Sequence, residues 1–154
     1  MALDKNSFYA RTMHTPDSPE RAALRAALRD VSKALLPLHR SLIDAAKDDY
    51  AFGIAPVKPP QLLQLLNDDP FFAWLKPLTS LIVDIDEMVR TDFEPSDVVA
   101  ISDRVDRLFG ANAEEGFAAH YIPMLQRGVD VAAGHAALRK AAAGLRLGTA
   151  RRPQ

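Results

Sequence analysis

The histidines are the side chains of this sequence with the greatest potential for chemistry. His39 and His120 lie two and three residues from a proline, Pro37 and Pro123 respectively. A proline inside a helix leaves the carbonyl four residues earlier without its usual donor, and such sites recur at binding cavities. His135 falls where the apolar spacing of its predicted helix expects a buried side chain. These imidazoles are therefore candidate ligand-binding groups.

Each histidine also has a structural interpretation. A buried imidazole can be a core residue whose ring nitrogens bond neighbouring polar groups. For His135, a competing apolar stripe from Ala118 to Ala132 would turn the ring to the edge of its helix.

A metal site is not predicted, because the spacing of the possible ligands is wrong for one. Di-iron bundles of the ferritin type use Glu-x-x-His pairs on two helices, whereas Glu115 and His120 are five residues apart and the sequence has no second pair. A hemerythrin-like site needs histidines at helical spacing, and His120 and His135 are fifteen residues apart. The chain has no cysteine, which excludes thiolate zinc sites and disulfides.

Nucleophilic catalysis finds little support in the motifs. None of the residues Ser32, Ser41, Thr79 and Ser80 lies in a nucleophile elbow, and the seven glycines form no phosphate-binding loop. No cofactor is therefore predicted, and an enzyme or metal-binding protein is the least favoured alternative.

Aromatic residues complete the candidate ligand-binding set. Phe71 and Trp74 lie on the predicted apolar seam of their helix, whereas Phe72 lies off it. Phe72 is therefore available to cover either the short leucine-rich helix or an apolar ligand pocket between the helices. Tyr121 lies on the seam that also contains His135. The full candidate set is His39, Phe72, Trp74, His120, Tyr121 and His135.

A row of basic residues at four-residue spacing runs along the first predicted helix: Arg21, Arg25, Arg29 and Lys33. Like charges at this spacing repel one another, so an acidic counterpart is expected. In one interpretation the counterpart is the acidic end of the second helix, from Asp84 to Asp92. The alternatives are an acidic partner protein and the phosphates of a nucleic acid. These four residues are the candidate partner-binding residues.

Start signals and apolar spacing predict four long helices and a short one. Ser18-Pro19-Glu20 is typical of a helix start. The apolar residues from Leu24 to Ala45 then alternate steps of four and three, so we predict one kinked helix from Pro19 to about Phe52.

The remaining helices follow from the same signals. A short leucine-rich helix is predicted over Gln61 to Leu66. The second long helix begins at Asp69-Pro70 and carries Pro77, and the third runs from Glu94-Pro95 to Gly110. The fourth begins with Asn112 and Glu115 as a capping box and continues as a single helix through Pro123, Gly128 and Leu138.

The predicted fold class is all-α, an antiparallel four-helix bundle with proline-kinked long helices and a short extra helix. With 154 residues, 48% hydrophobic and 25% charged, the chain is long enough for one domain. We assign an N-terminal arm to residues 1–17, the helical domain to residues 18–147 and a basic tail to residues 148–154. No stretch reaches the length of a membrane span, and the location predicted is the reducing cytoplasm.

Composition and charge favour a non-catalytic protein that acts through protein contacts, such as a small regulator or adaptor. Residues 139–154 carry five basic residues and no acid, whereas residues 44–97 carry eleven acids and four bases. No aromatic residue is interleaved with the basic tail, so specific nucleic-acid binding is not predicted. The first and fourth helices are longer than the others, so either their prolines break them into segments or a second copy of the chain covers their ends. The second option favours a homodimer. The alternative is a binding module for an apolar small molecule or lipid, held between kinked helices.

Overall fold

The computed structural model describes residues 16–111 and 113–150. This part of the chain forms six α-helices and one short 3-10 helix, without a strand, which confirms the all-α prediction. The helices are α1 (Pro19–Gly53), α2 (Pro59–Asp68), the 3-10 helix (Pro70–Leu75), α3 (Lys76–Arg90), α4 (Pro95–Phe109), α5 (Glu115–Arg127) and α6 (Val129–Ala150).

Helix α1 has the predicted extent. The Ser18 hydroxyl accepts a hydrogen bond from the Arg21 N–H at 3.2 Å, and Pro19 occupies the first turn, where its missing N–H costs nothing. The helix continues across Pro37 to Gly53. Its predicted apolar stripe is almost completely buried: Leu24, Leu28, Val31, Leu35, Leu38 and Leu42.

The predicted second helix is wrong in its first part. Asp69 accepts a hydrogen bond from the Phe71 N–H at 2.9 Å and starts a 3-10 helix, so Pro77 lies in the first turn of α3 rather than inside a helix. A 3-10 helix has about three residues per turn, and Phe72 and Leu75 consequently share its buried face. Trp74 is only half-buried. The prediction that Phe72 lies off the seam is therefore corrected.

The predicted fourth helix is two helices, separated at Gly128. Gly128 has an extended backbone with ψ 120°, so its N–H ends α5 on the Met124 carbonyl while its own carbonyl accepts the first bond of α6 from Ala132. Glycine is a weak helix former, which favours the break here. The buried side chains still follow the predicted stripe rather than the competing one: Phe117, Tyr121, Met124, Val131 and Leu138. The N-cap of α5 is Glu114 rather than the predicted Asn112, which lies outside the described residues.

Helix α1 is the centre of the packing. A Cβ added to Gly134 of α6 would lie 3.1 Å from Leu38, and one added to Gly148 would lie 3.3 Å from Leu24, so α6 runs antiparallel to α1. Arg25 bonds the carbonyl of Thr91, just after α3, and His39 bonds Thr79, early in α3, so α3 also runs antiparallel to α1. Helix α4 is connected to both α3 and α6 by ion pairs. Arg104 of α4 pairs with Asp84 of α3, and Asp106 of α4 pairs with Arg146 of α6.

Two features of the ends complete the fold. Helix α6 extends to Ala150, beyond the boundary predicted at residue 147, while residues 1–15 and 151–154 of the predicted arm and tail lie outside the described residues. None of the described helices combines the length and the apolar character that crossing a membrane requires.

Candidate functional site

A cleft of about 620 Å³ opens between the C-terminal half of α4, the helix α5 and the middle of α6. Each helix contributes apolar side chains to its walls, because each turns a leucine, isoleucine or phenylalanine toward the junction of the three helices. Among the residues that line it are Leu108, Phe109, Ile122, Leu125, Leu138 and Ala142.

Tyr121 and His135 form a hydrogen bond on one wall of this cleft. The Tyr121 hydroxyl lies 2.7 Å from His135 Nδ1 and so joins α5 to α6. The Tyr121 ring is buried, with the Phe109 ring edge-on at 5.0 Å and the Phe117 ring stacked at 5.4 Å. The two predicted residues therefore meet, and the aromatic cluster holds the phenol in one orientation.

Burial favours the neutral form of both members of the pair. It raises the pKa of Tyr121 strongly, because the phenolate would lose its hydration. Burial also lowers the pKa of His135, and the nearby positive charge of Arg139 lowers it further. A phenol is a better proton donor than a neutral imidazole, so we assign Tyr121 as the donor to Nδ1. His135 Nε2 then carries its proton and is a hydrogen-bond donor.

Two of the three charged groups of the cleft, Arg139 and Arg146, lie along one side of α6, and the third, Asp106, lies on α4. Arg146 pairs with Asp106 of α4 at 2.8 Å, whereas Arg139 makes no ion pair with any described residue. These three residues were not among the predicted site residues. Sequence did contain a signal, since Arg139 and Arg146 are seven residues apart and share one helix face with His135.

The other predicted ligand-binding residues lie apart from this pair. Trp74 and His120 stack on each other, with ring centroids 5.0 Å apart and planes at 9°. His39 of α1 forms a hydrogen bond with the Thr79 hydroxyl of α3 at 3.1 Å. Burial lowers the pKa of His39. The imidazoles therefore do not converge on one chamber.

Phe72 lies in the core rather than in the cleft. Its side chain is fully buried, and its ring packs against Tyr50 at 5.4 Å and Phe71 at 5.2 Å. These contacts close the end of the core where α1 meets the 3-10 helix.

Arg25 differs from the rest of the predicted partner-binding row, because its side chain is buried. Its guanidinium forms two hydrogen bonds to the Asp17 carboxylate and donates to the carbonyls of Val89 and Thr91 at 2.8 and 3.0 Å. It also lies over the Phe93 ring, 4.9 Å from the ring centroid. Arg25 therefore makes its contacts within the fold, where it supplies hydrogen-bond donors to backbone carbonyls at the C-terminal end of α3.

The rest of the row has different surroundings. Arg21 lies half-buried near Phe93, whereas Arg29 and Lys33 are exposed. Two of the four acids expected opposite the row have other partners, because Asp84 pairs with Arg104 and Asp86 pairs with Arg90. The pKa of Arg25 is raised by its hydrogen bond to Asp17 and also by the negative charge of Asp92, so the acidic end of α3 does act on the row.

No group of three or more histidine and carboxylate side chains within residues 16–111 and 113–150 is arranged to hold a metal ion. Comparison of the chain with protein families, curated proteins and solved structures finds no match.

Proposed function

We propose that this protein is a non-catalytic binding module that holds a small apolar molecule in the cleft between α4, α5 and α6. Small-molecule sites are typically concave, mostly apolar and about 300–1,000 Å³ in volume, with a few polar groups that orient the ligand. The cleft has this volume and this lining. The observation that carries the proposal is the Tyr121–His135 pair, which places one oriented donor on an apolar wall.

The electrostatics of the pair favour binding over catalysis. A general base needs a pKa near the working pH, whereas burial moves the pKa of Tyr121 upward and that of His135 downward. Within the described residues, neither ring bonds a carboxylate that would stabilise a charged imidazole. The pair is therefore suited to orienting a ligand.

Filling the cleft tests this proposal. Ala143 is exposed and lines the cleft, while Ala137 is exposed on the same helix and does not line it. The probe is the neutral fluorophore N-phenyl-1-naphthylamine, titrated against each purified variant after circular dichroism has verified its folding. We expect Ala143→Phe to weaken binding about tenfold or more, a cost of about 1.4 kcal/mol, and Ala137→Phe to leave it unchanged. Equal binding by both variants, or no saturable binding by the wild type, would contradict the proposal.

A second candidate function is contact with another protein, favoured by apolar side chains at the turn between α1 and α2. Phe52 is 96% exposed, Leu63 70% and Ile54 61%, and none of the leucines of α2 is buried. Exposed apolar groups at one place on a surface mark contact sites. We propose a homodimer through this turn, within the predicted role of a cytoplasmic regulator or adaptor. The exposed Arg29 and Lys33 remain candidates for contact with an acidic partner.

Hydrodynamic size tests the second candidate. Sedimentation velocity of the wild type across micromolar concentrations should show a dimer, and the double variant Phe52→Ser/Ile54→Ser should shift it to monomer. Val83→Ser on α3 is the control, because Val83 is also exposed but lies away from the turn. A wild type that stays monomeric would dispose of this candidate.

The proposed architecture behind both functions is the antiparallel four-helix bundle. Its four columns would be α1, α3, α4 and the α5–α6 pair. The antiparallel contacts of α1 with α3 and with α6 support this arrangement. In this arrangement the chain changes direction at Gly128, between α5 and α6, and the cleft lies beside this change of direction.

A further inference from the structure

The cleft contains one more positive charge than negative charge. Its charged lining residues are Asp106, Arg139 and Arg146. Asp106 and Arg146 neutralise each other through their ion pair. Arg139 is exposed and has no ion-pair partner in the described part of the chain, so its guanidinium is available to a ligand.

The positions along α6 place this charge beside the oriented donor. Arg139 follows His135 by four residues, which is about one helical turn, so both side chains lie on the same face. The closeness is also expressed in the pKa of His135, which the charge of Arg139 helps to lower. One end of the cleft therefore offers a guanidinium and an imidazole N–H together.

Between this polar end and the Asp106–Arg146 ion pair, the lining is apolar and small. Ala142 and Ala143 follow Arg139 along α6, and Leu108 of α4 and Leu125 of α5 also line the cleft. The small side chains leave room for an alkyl chain, and the leucines supply the apolar surface it would bury.

We infer that the molecule held in this cleft is an amphiphilic monocarboxylate of the medium-chain fatty-acid type, with its carboxylate on Arg139 and His135 and its alkyl chain along the leucines. The inference rests on the proposed binding function and names its ligand class. A guanidinium matches a carboxylate in a charge-assisted pair. A single available arginine matches a single negative charge better than it matches a dianion such as a phosphate monoester.

Calorimetric titration with dodecanoate and with dodecanol tests the inference, at monomeric lipid concentrations and at mildly alkaline pH, where the carboxylate is ionised. The two probes share a chain and differ in the head group. We expect the wild type to bind dodecanoate about tenfold more tightly than dodecanol, the contribution typical of a hydrogen bond to a charged group. Arg139→Gln should remove this difference by weakening dodecanoate alone.

Lys140→Gln is the matched control, because Lys140 is the exposed basic neighbour of Arg139 and does not line the cleft. It should change neither affinity. Equal affinity of the wild type for the two probes, or equal weakening of dodecanoate by the two variants, would overturn the carboxylate assignment and leave the apolar cleft standing. Absence of saturable binding for both probes, together with failure of the neutral fluorophore to bind, would overturn the proposed function as well.

Discussion

Tyr121 and His135 are fourteen residues apart, yet the Tyr121 hydroxyl lies 2.7 Å from His135 Nδ1. In one uninterrupted helix their Cα atoms would be separated by about 21 Å along the axis, at about 1.5 Å per residue. They meet because the chain changes direction at Gly128. The same change of direction forms the cleft, so the candidate site depends on the break between α5 and α6.

Removing the Tyr121 hydroxyl should weaken the contact between α5 and α6. Tyr121→Phe keeps the buried ring and loses one hydrogen bond, so we expect the free energy of unfolding to fall by about 1 kcal/mol. Urea denaturation measures the change. Tyr50→Phe is the control, because the Tyr50 hydroxyl makes no hydrogen bond within the described residues, and it should change stability by less than about half as much. Equal effects of the two substitutions would show that the Tyr121–His135 bond contributes nothing.

Arg25 should be the most sensitive residue of its row. Arg25→Ala removes a buried guanidinium from the Asp17 carboxylate and from the carbonyls that follow α3, and we expect a loss of about 3–5 kcal/mol in the free energy of unfolding. Arg29→Ala, four residues later and exposed, should stay within about 0.5 kcal/mol of the wild type. Chemical denaturation of the two variants compares them directly. Similar losses would contradict the structural role of Arg25.

Two glycines of α6 should respond in opposite directions to the same substitution. Gly144 has open space around it, so Gly144→Ala should stabilise the protein by about 1 kcal/mol through helix propensity. A Cβ on Gly134 would lie 3.2 Å from Leu38 Cβ and 3.4 Å from Leu38 Cα. Gly134→Ala should therefore force α1 and α6 apart, at a cost of about 1–3 kcal/mol that exceeds the propensity gain. Thermal denaturation separates these outcomes, and stabilisation by both variants would refute the close approach.

Stability should fall on mild acidification, in part because of His39. Burial lowers the folded-state pKa of His39 below its ordinary value of 6.5, so the unfolded chain takes up a proton first as the pH decreases. The stabilisation that comes from the neutral form of His39 is fully present above the unfolded-state pKa. It decreases as the pH falls through 6.5 and then through the lower pKa of the folded state. His135 contributes in the same direction.

Substituting His39 measures its share of this pH dependence. His39→Gln should make the decline of unfolding free energy between about pH 7 and pH 5 shallower. His120→Gln serves as the control, because the His120 side chain is exposed and stacks on Trp74. An unchanged slope in His39→Gln would mean that the burial of this imidazole has no effect on stability.

The sequence predicted local features well and the site only in part. The buried stripe of α1 follows from its spacing alone, because a helix repeats about every 3.6 residues wherever it lies. Phe72 was misplaced because a 3-10 helix winds more tightly and turns a different residue inward. Arg25 and Arg29 are the same residue type in the same four-residue row, yet only Arg25 is buried. Its partners are Phe93 and the end of α3, which are distant from it in the sequence.

By itself, the sequence determined the helical character of the chain, the starts of α1 and α4 at Pro19 and Pro95, and the buried apolar stripe of α1, because caps and apolar periodicity act over a few residues. Only the tertiary structure decided that the last helix divides at Gly128, that Tyr121 bonds His135, and that Arg139 makes no ion pair within residues 16–111 and 113–150. These relationships join groups on different helices, and their geometry depends on how the helices pack, which spacing within one helix does not encode.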